Sequence, residues 1–423
     1  MSERRRRIVR ALVIGLAGAA VLALGASLLL RIGGERALER ERTAFVDRWG
    51  PVDAAAFQRP AVAEERNAAA WIKAGAAAIV WSNADRTLIQ RLSVHPAQEW
   101  SEEQRTAVLE VVEGNRAAIE LLGRAVGLPD SSWGIDYRQR PEAELPELLE
   151  VLNAARLALA SARLGISSGD VDEAVDHLAV LSAMTATLER ESVLIVSLIG
   201  IAIDRITSTV AGEILGAPGI DRPTLERIAQ VLPGREPDPV DATMRSIRFE
   251  VGMTAGRWER AGAASEGLRA RLVPITDWLA AATYEEVSEL LRAAHGSLAD
   301  MQELEDRPQP SLLHLPRRVA MATTPNIRSA VGRALAAAAQ RQLVRAAIEV
   351  RRRGIDEGRY PGERDAVAAL DEPDPLSGQR LGYRVEPSGA AELWVEDLQE
   401  LLREIGVPSA SVDATTPIRL PAP

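Results

Sequence analysis

Residues 11–30 read ALVIGLAGAAVLALGASLLL, twenty positions without a charge. A helix rises about 1.5 Å per residue, so this run reaches about 30 Å, the depth of a bilayer's hydrocarbon core. Its glycines and alanines are tolerated in lipid because the backbone hydrogen bonds close within the helix. A cleaved signal peptide would show a shorter apolar core and a small-residue exit. Ala23-Leu24-Gly25 could supply the exit, yet the run continues through Leu28, Leu29 and Leu30 to Arg31. The expectation is an uncleaved, single-pass signal anchor. Arg4, Arg5, Arg6, Arg7 and Arg10 precede it, against Arg31, Arg36, Arg40 and Arg42 beyond it. That margin places the N-terminus in the cytoplasm and the remainder in the periplasm of a bacterial inner membrane.

Beyond the span the chain reads as helical. Aromatic residues are only 4% of the chain, so the residues that fill sheets are scarce while helix formers abound. Setting aside Glu3 and the six arginines that flank the span leaves 44 basic and 59 acidic residues. A body carrying that negative surplus repels nucleic acid, so no nucleic-acid partner is expected. Lys73 is the sole lysine, a skew that reflects arginine-rich composition rather than phosphate recognition. The absence of cysteine excludes disulfides, thiolate metal sites and cysteine nucleophiles.

Local signals divide the chain into a cytoplasmic N-terminus (1–10), the span (11–30), a charged membrane-proximal helix and linker (31–60), and a helical domain (61–232). A linker (233–243), a second helical section (244–353), an α+β end (354–406) and a disordered Pro-rich tail (407–423) complete it. Ser101-Glu102-Glu103-Gln104 forms a capping box opening a helix through Leu109 and Leu121 to Gly123 or Gly127. Two helices, 146–164 and one capped by Asp170, form an antiparallel hairpin joined by GISSGD. The run VLIVSLIGIAI (193–203) is too short to span a bilayer and reads as a core helix. Thr283-Tyr284-Glu285-Glu286 reads as another capping box, 307–326 as an extended wrap, and the stretch that follows Pro325, to Arg353, as a helix ended by Gly354. Segments 374–385 and 391–395, joined by a PSG turn, read as a β-hairpin. The expected fold is therefore mainly α: a transmembrane helix, a multi-helix antiparallel ectodomain (hairpin or solenoid-like) and a small C-terminal β-hairpin.

Four pieces of the body, EERNAAAWIKAGAAAI (64–79), SSWGIDY (131–137), 145–181 and ESVLIVSLIGIAID (191–204), carry a resemblance. They resemble a family of uncharacterised, membrane-anchored bacterial proteins with α-helical ectodomains. That resemblance implies architecture and no activity. The stretch GRYPGERDAVAALDEPDPLSGQRLGYRV (358–385) resembles the C-terminal region of type II secretion pseudopilins. The chain departs from that pattern in lacking a prepilin processing site and the calcium loop after the last strand. Neither a pilin role nor a calcium site carries over.

No motif commits the chain to a reaction. His95, His177, His295 and His314 show no ligand spacing, with His177 read as an exposed or capped side chain, and neither a metal nor a cofactor is expected. Carboxylates are the remaining candidate catalysts: Glu64, Asp136, Glu191 and Asp204 lie near apolar or aromatic residues, where burial raises a pKa toward a general acid's range. Asp204 ends the most apolar helix beside Arg205, but adjacent helical residues diverge by about 100°, so its partner must come from another helix. Asn67 reads as a helix cap, and Asp136 with Tyr137 as a turn or packing pair. Two functions remain. One is a non-enzymatic, membrane-anchored envelope accessory or protein-interaction protein, whose partners are other envelope proteins. The alternative is a helical hydrolase of envelope material, which requires a carboxylate pair converging in a cleft.

Overall fold

A computed structural model describes residues 3–142, 144–232, 238–264, 276–296, 315–323, 327–362, 367–396, 398 and 417–423; in the first helix, side chains are described at 18, 19 and from 21 onward. The chain begins with α1 (Glu3–Trp49), α2 (Ala54–Phe57), α3 (Ala68–Ala77), α4 (Asn83–Leu92), α5 (Glu102–Gly114) and α6 (Arg116–Gly123). Next come α7 (Leu148–Ser168), α8 (Val171–Leu188), α9 (Leu194–Leu215), α10 (Arg222–Val231) and α11 (Pro239–Ala264). The remaining helices are α12 (Thr276–Gly296), α13 (Leu315–Thr323) and α14 (Ile327–Glu357), before strands β1 (Gly382–Val385), β2 (Ala391–Trp394) and β3 (Ile418–Leu420). The fold is mainly helical with one small antiparallel sheet, and it divides into two compact units that interleave along the sequence.

The first unit comprises Met1–Ala56, Arg248–Ala293 and Leu304–Asn326. Its axis is α1, a single 47-residue helix in which residues 11–30 and the charged segment after Arg31 are continuous. The helix α12 lies along α1 in the same direction. Trp278 bonds the Leu30 carbonyl, Tyr284 packs on Phe45 at 5.4 Å between ring centres, and Trp49 bonds Ser288 at 3.0 Å. Arg317 of α13 is paired with Glu286 and Glu289 of α12 at 3.2 and 2.6 Å. Thr283, expected to cap a helix, is instead buried inside α12, where its hydroxyl bonds the Leu279 carbonyl. The apolar residues before it carry the helix through the capping pattern. Residues 315–323, expected to be extended, are helical because Pro316 stands in the first turn, where no N–H is lost.

The second unit comprises Phe57–Ile247, Ala294–Glu303 and Ile327–Pro423. Helices α7, α8 and α9 pack successively against one another and form its centre. The α7–α8 pair is the expected antiparallel hairpin, but α7 runs to Ser168 rather than stopping at Gly165. Gly169, at φ 82°, supplies the left-handed residue that ends it, and the Asp170 carboxylate caps α8 at the Glu173 N–H. Among the residues whose side chains are described, a set that leaves out most of 11–20, α9 is the one helix long and apolar enough to cross a bilayer, and half of it is buried. It serves as a core helix, with Val196, Ile203, Val210 and Ile214 fully enclosed and α14 packed on another face. His177 of α8, read as exposed or capped, is buried because α8 is enclosed on nearly every side, and its ring stands 3.8 Å from the Glu173 carboxylate.

Around this centre, α3 and α6 pack together, and α4 and α5 close over α7 through Ile89, Leu92, Trp100, Val108 and Leu157. The single helix expected from 102 to 123 breaks at Asn115. Its buried amide bonds both Val80 backbone groups and the Val111 carbonyl, which an uninterrupted helix would not present to it. The final long helix continues past Gly354, which lies under the Tyr360 ring. The expected hairpin is part of a three-stranded sheet. Residues 417–423, expected to be disordered, supply β3, paired with β2 and packed on α9 and α14. Two prolines flank the strand, while Ile418 and Leu420 point inward and Arg419 outward, the alternation of a half-buried edge strand. Of the segment 395–406, most lies outside the described residues, as do 233–237 of the expected linker.

Candidate functional site

The densest set of buried polar groups in the second unit surrounds the connection between α8 and α9, residues 189–193. Here the chain leaves one core helix and enters the next, so its backbone groups need partners from outside regular structure. On one side stands the loop 130–137. Asn67 caps α3 by accepting from the Ala69 N–H at 3.2 Å. Its amide also brackets Ser132, accepting from the backbone N–H at 2.8 Å and donating to the carbonyl at 2.9 Å. Lys73 donates to the Trp133 carbonyl at 2.6 Å, and Gln58 holds both Tyr137 N–H and Ile135 C=O. So secured, the loop delivers Tyr137 to the connection.

Tyr137 donates its phenolic O–H to Glu191 Oε2 at 2.5 Å and accepts from the Ser192 N–H at 2.8 Å. Glu191 Oε1 accepts from the Trp133 N–H at 3.3 Å. Tyr137, Glu191 and Ser192 are all buried. Burial pushes the Tyr137 pKa upward, and the neighbouring Glu191 charge pushes it further. The phenol therefore stays protonated and acts as a fixed donor. Replacing Tyr137 by phenylalanine is expected to lower stability by about 1–3 kcal/mol, because Glu191 Oε2 and the Ser192 N–H each lose a buried partner. A urea midpoint that drops with unchanged slope is the measurement; an unmoved midpoint overturns this role.

On the other side of the connection is an ionic cluster. Arg341 of α14 donates through Nε to Asp204 Oδ1 at 2.8 Å, and through Nη2 to Glu189 Oε1. All three side chains are buried. Glu189 Oε2 and Asp204 Oδ2 have no hydrogen-bond partner. One guanidinium edge thus takes one oxygen from each of two carboxyl groups, one cation between two acids. Burial raises the pKa of both carboxyl groups above the usual range against the pull of Arg341, with Asp238 adding to the rise. The Glu189 and Arg190 carbonyls, at the end of α8, accept from Arg245 and Arg59. Cations suit these carbonyls, the negative end of the helix.

The expected site residues fall into separate roles. Glu64 is exposed in the 3₁₀ turn Glu64–Arg66. Asp136 is half-exposed, accepting from the Arg138 N–H at 3.0 Å and from Gln139. Glu191 and Asp204 are each 1% exposed, in two distinct bonded sets. The partner that Asp204 requires from another helix is Arg341, whereas Arg205 is half-buried next to it in the chain. Glu189, Arg341 and Lys73 join the site without a sequence signal of their own. The apolar setting of the ESVLIV run was the one hint that a charge there is enclosed. Among the described residues, no three His, Asp or Glu side chains come close enough to share a metal ion. No family model, curated protein or solved structure matches the chain.

Proposed function

We propose that this is a membrane-anchored, non-enzymatic envelope protein, tethered through residues 11–30 and presenting an acidic helical body to protein partners. The observation that carries the tether is the exposure of Val21, Leu22, Leu24, Leu28, Leu29 and Leu30. At 100° per residue these positions point to every side of α1, and a helix apolar all round requires lipid or a protein core about it. The non-enzymatic part of the reading rests on the carboxylates. Glu191 and Asp204 are saturated with, or clamped by, structural partners beneath the surface, while Glu64 and Asp136 stand outside. A hydrolase working through a carboxylate pair needs both groups to reach one substrate from solvent.

Two measurements test the reading. Carbonate washing of membranes is expected to leave the full chain in the pellet, and removal of residues 1–30 to release it into the supernatant. Release of the full chain would refute the tether. Photo-crosslinking from intact membranes is expected to trap defined envelope proteins; recovery of none, with activity on envelope polymers instead, would favour the hydrolase.

A further inference from the structure

The first turn of α12 meets α1 at the place where the apolar run gives way to charge. Trp278 Nε1 donates to the Leu30 carbonyl at 2.9 Å. The indole lies against Gly33 and Gly34, where an added Cβ would stand 3.1 and 3.0 Å from ring atoms. Below it, toward the N-terminus, Leu28, Leu29 and Leu30 are more than half exposed. Above it the exposed pair Arg31 and Glu35 begins the charged part of α1. Because α12 runs in the same direction as α1, Trp278 occupies the end of the pair nearest the apolar run.

We infer that Trp278 is a second membrane contact: an aromatic seat in the interfacial layer of the bilayer that sets the depth of α1 at Leu30. This rests on the tether proposed above. An indole has an apolar body and one N–H, and suits the layer between acyl chains and water. The glycine pair makes this placement specific, because a Cβ at either position would crowd the ring and push it off the helix surface at that level. With its N–H satisfied by Leu30, the ring can face acyl chains without an orphaned donor. A span held only by its hydrophobic length could tilt or slide. A ring fixed to the helix one residue from the charge boundary resists both.

The test uses the full chain in phosphatidylcholine vesicles with ordinary or brominated acyl chains. The emission difference between wild type and Trp278→Phe isolates this indole from the other tryptophans. That difference is expected to be largely lost in brominated vesicles; a difference that persists undiminished overturns the proposal. The absence of cysteine allows a second measurement with the indole intact. A nitroxide on Thr276→Cys is expected to show oxygen access well above that of one on Glu285→Cys, and water-like access at both positions overturns the proposal. A nitroxide on Leu29→Cys separates the two readings. If Leu29→Cys reports lipid while Thr276→Cys reports water, the tether stands and the seat falls. If Leu29→Cys itself reports water, the tether falls and takes the seat with it.

Discussion

Replacing Arg341 by methionine is expected to cost about 3–5 kcal/mol of folding stability, the scale for breaking a buried ion pair by removing one partner. The cost comes less from lost attraction than from what stays behind. Glu189 and Asp204 would keep their places at 1% exposure without the cation bonded to both, and each already has one oxygen without a hydrogen bond. Arginine to lysine should recover part of the loss, since the charge returns without the paired donors that reach two carboxylates along one edge. The triple variant Arg341→Met, Glu189→Leu, Asp204→Leu should recover most of it, because apolar replacement of a whole buried ionic set is often neutral or better. Urea unfolding of the four proteins decides the matter. A single variant within experimental error of wild type would mean that the cluster is not dry.

The second large effect is a dependence of stability on pH that is opposite to that of an ordinary ion-paired carboxylate. Glu189 is pushed up to about 8 from an ordinary value of 4.5 by burial, with Asp204 and Asp238 adding and Arg341 opposing. Asp204 is raised for the same reason, and Arg345 opposes as well. Across the interval from 4.5 to 8 the folded chain holds a proton at Glu189 that the unfolded chain has released. Stability therefore falls as pH rises through that window, since the folded state binds more protons. Glu189→Gln removes this titration and keeps the shape. The difference in unfolding free energy, variant minus wild type, is expected to grow by several kcal/mol from pH 5 to pH 8.5. A flat difference, or one that shrinks, would mean that Glu189 does not hold the proton.

Much of the helical layout can be read from short-range chemistry. Ser101 with Gln104, Asp170 and Asn67 all cap the helices their positions suggest, because a cap depends only on residues three or fewer positions away. The failures share a cause. Thr283 has the right neighbours for a cap, but burial continues the helix through it. Asn115 breaks a helix for the sake of Val80, thirty-five positions back. The ionic cluster was the least legible part. Asp204 and Arg341 are 137 positions apart, and Glu189 and Arg341 are 152 apart. One sequence names the side chain in need of a partner, as it did for Asp204, without saying which of 49 arginines answers.

The interleaving of the units also sets a timetable. Trp49 is made 239 positions before the Ser288 it bonds, and Phe45 equally long before Tyr284. At roughly 5–20 residues per second, the outer half of α1 waits on the order of tens of seconds for its cover. The same delay holds at the other end, where the core helix α9 is completed by β3 some two hundred positions later. During synthesis, then, the part of α1 after Arg31 must wait without its cover. Its run ERALERERTAFVDRW suits that interval, with charges of both signs surrounding the few residues that will later be hidden.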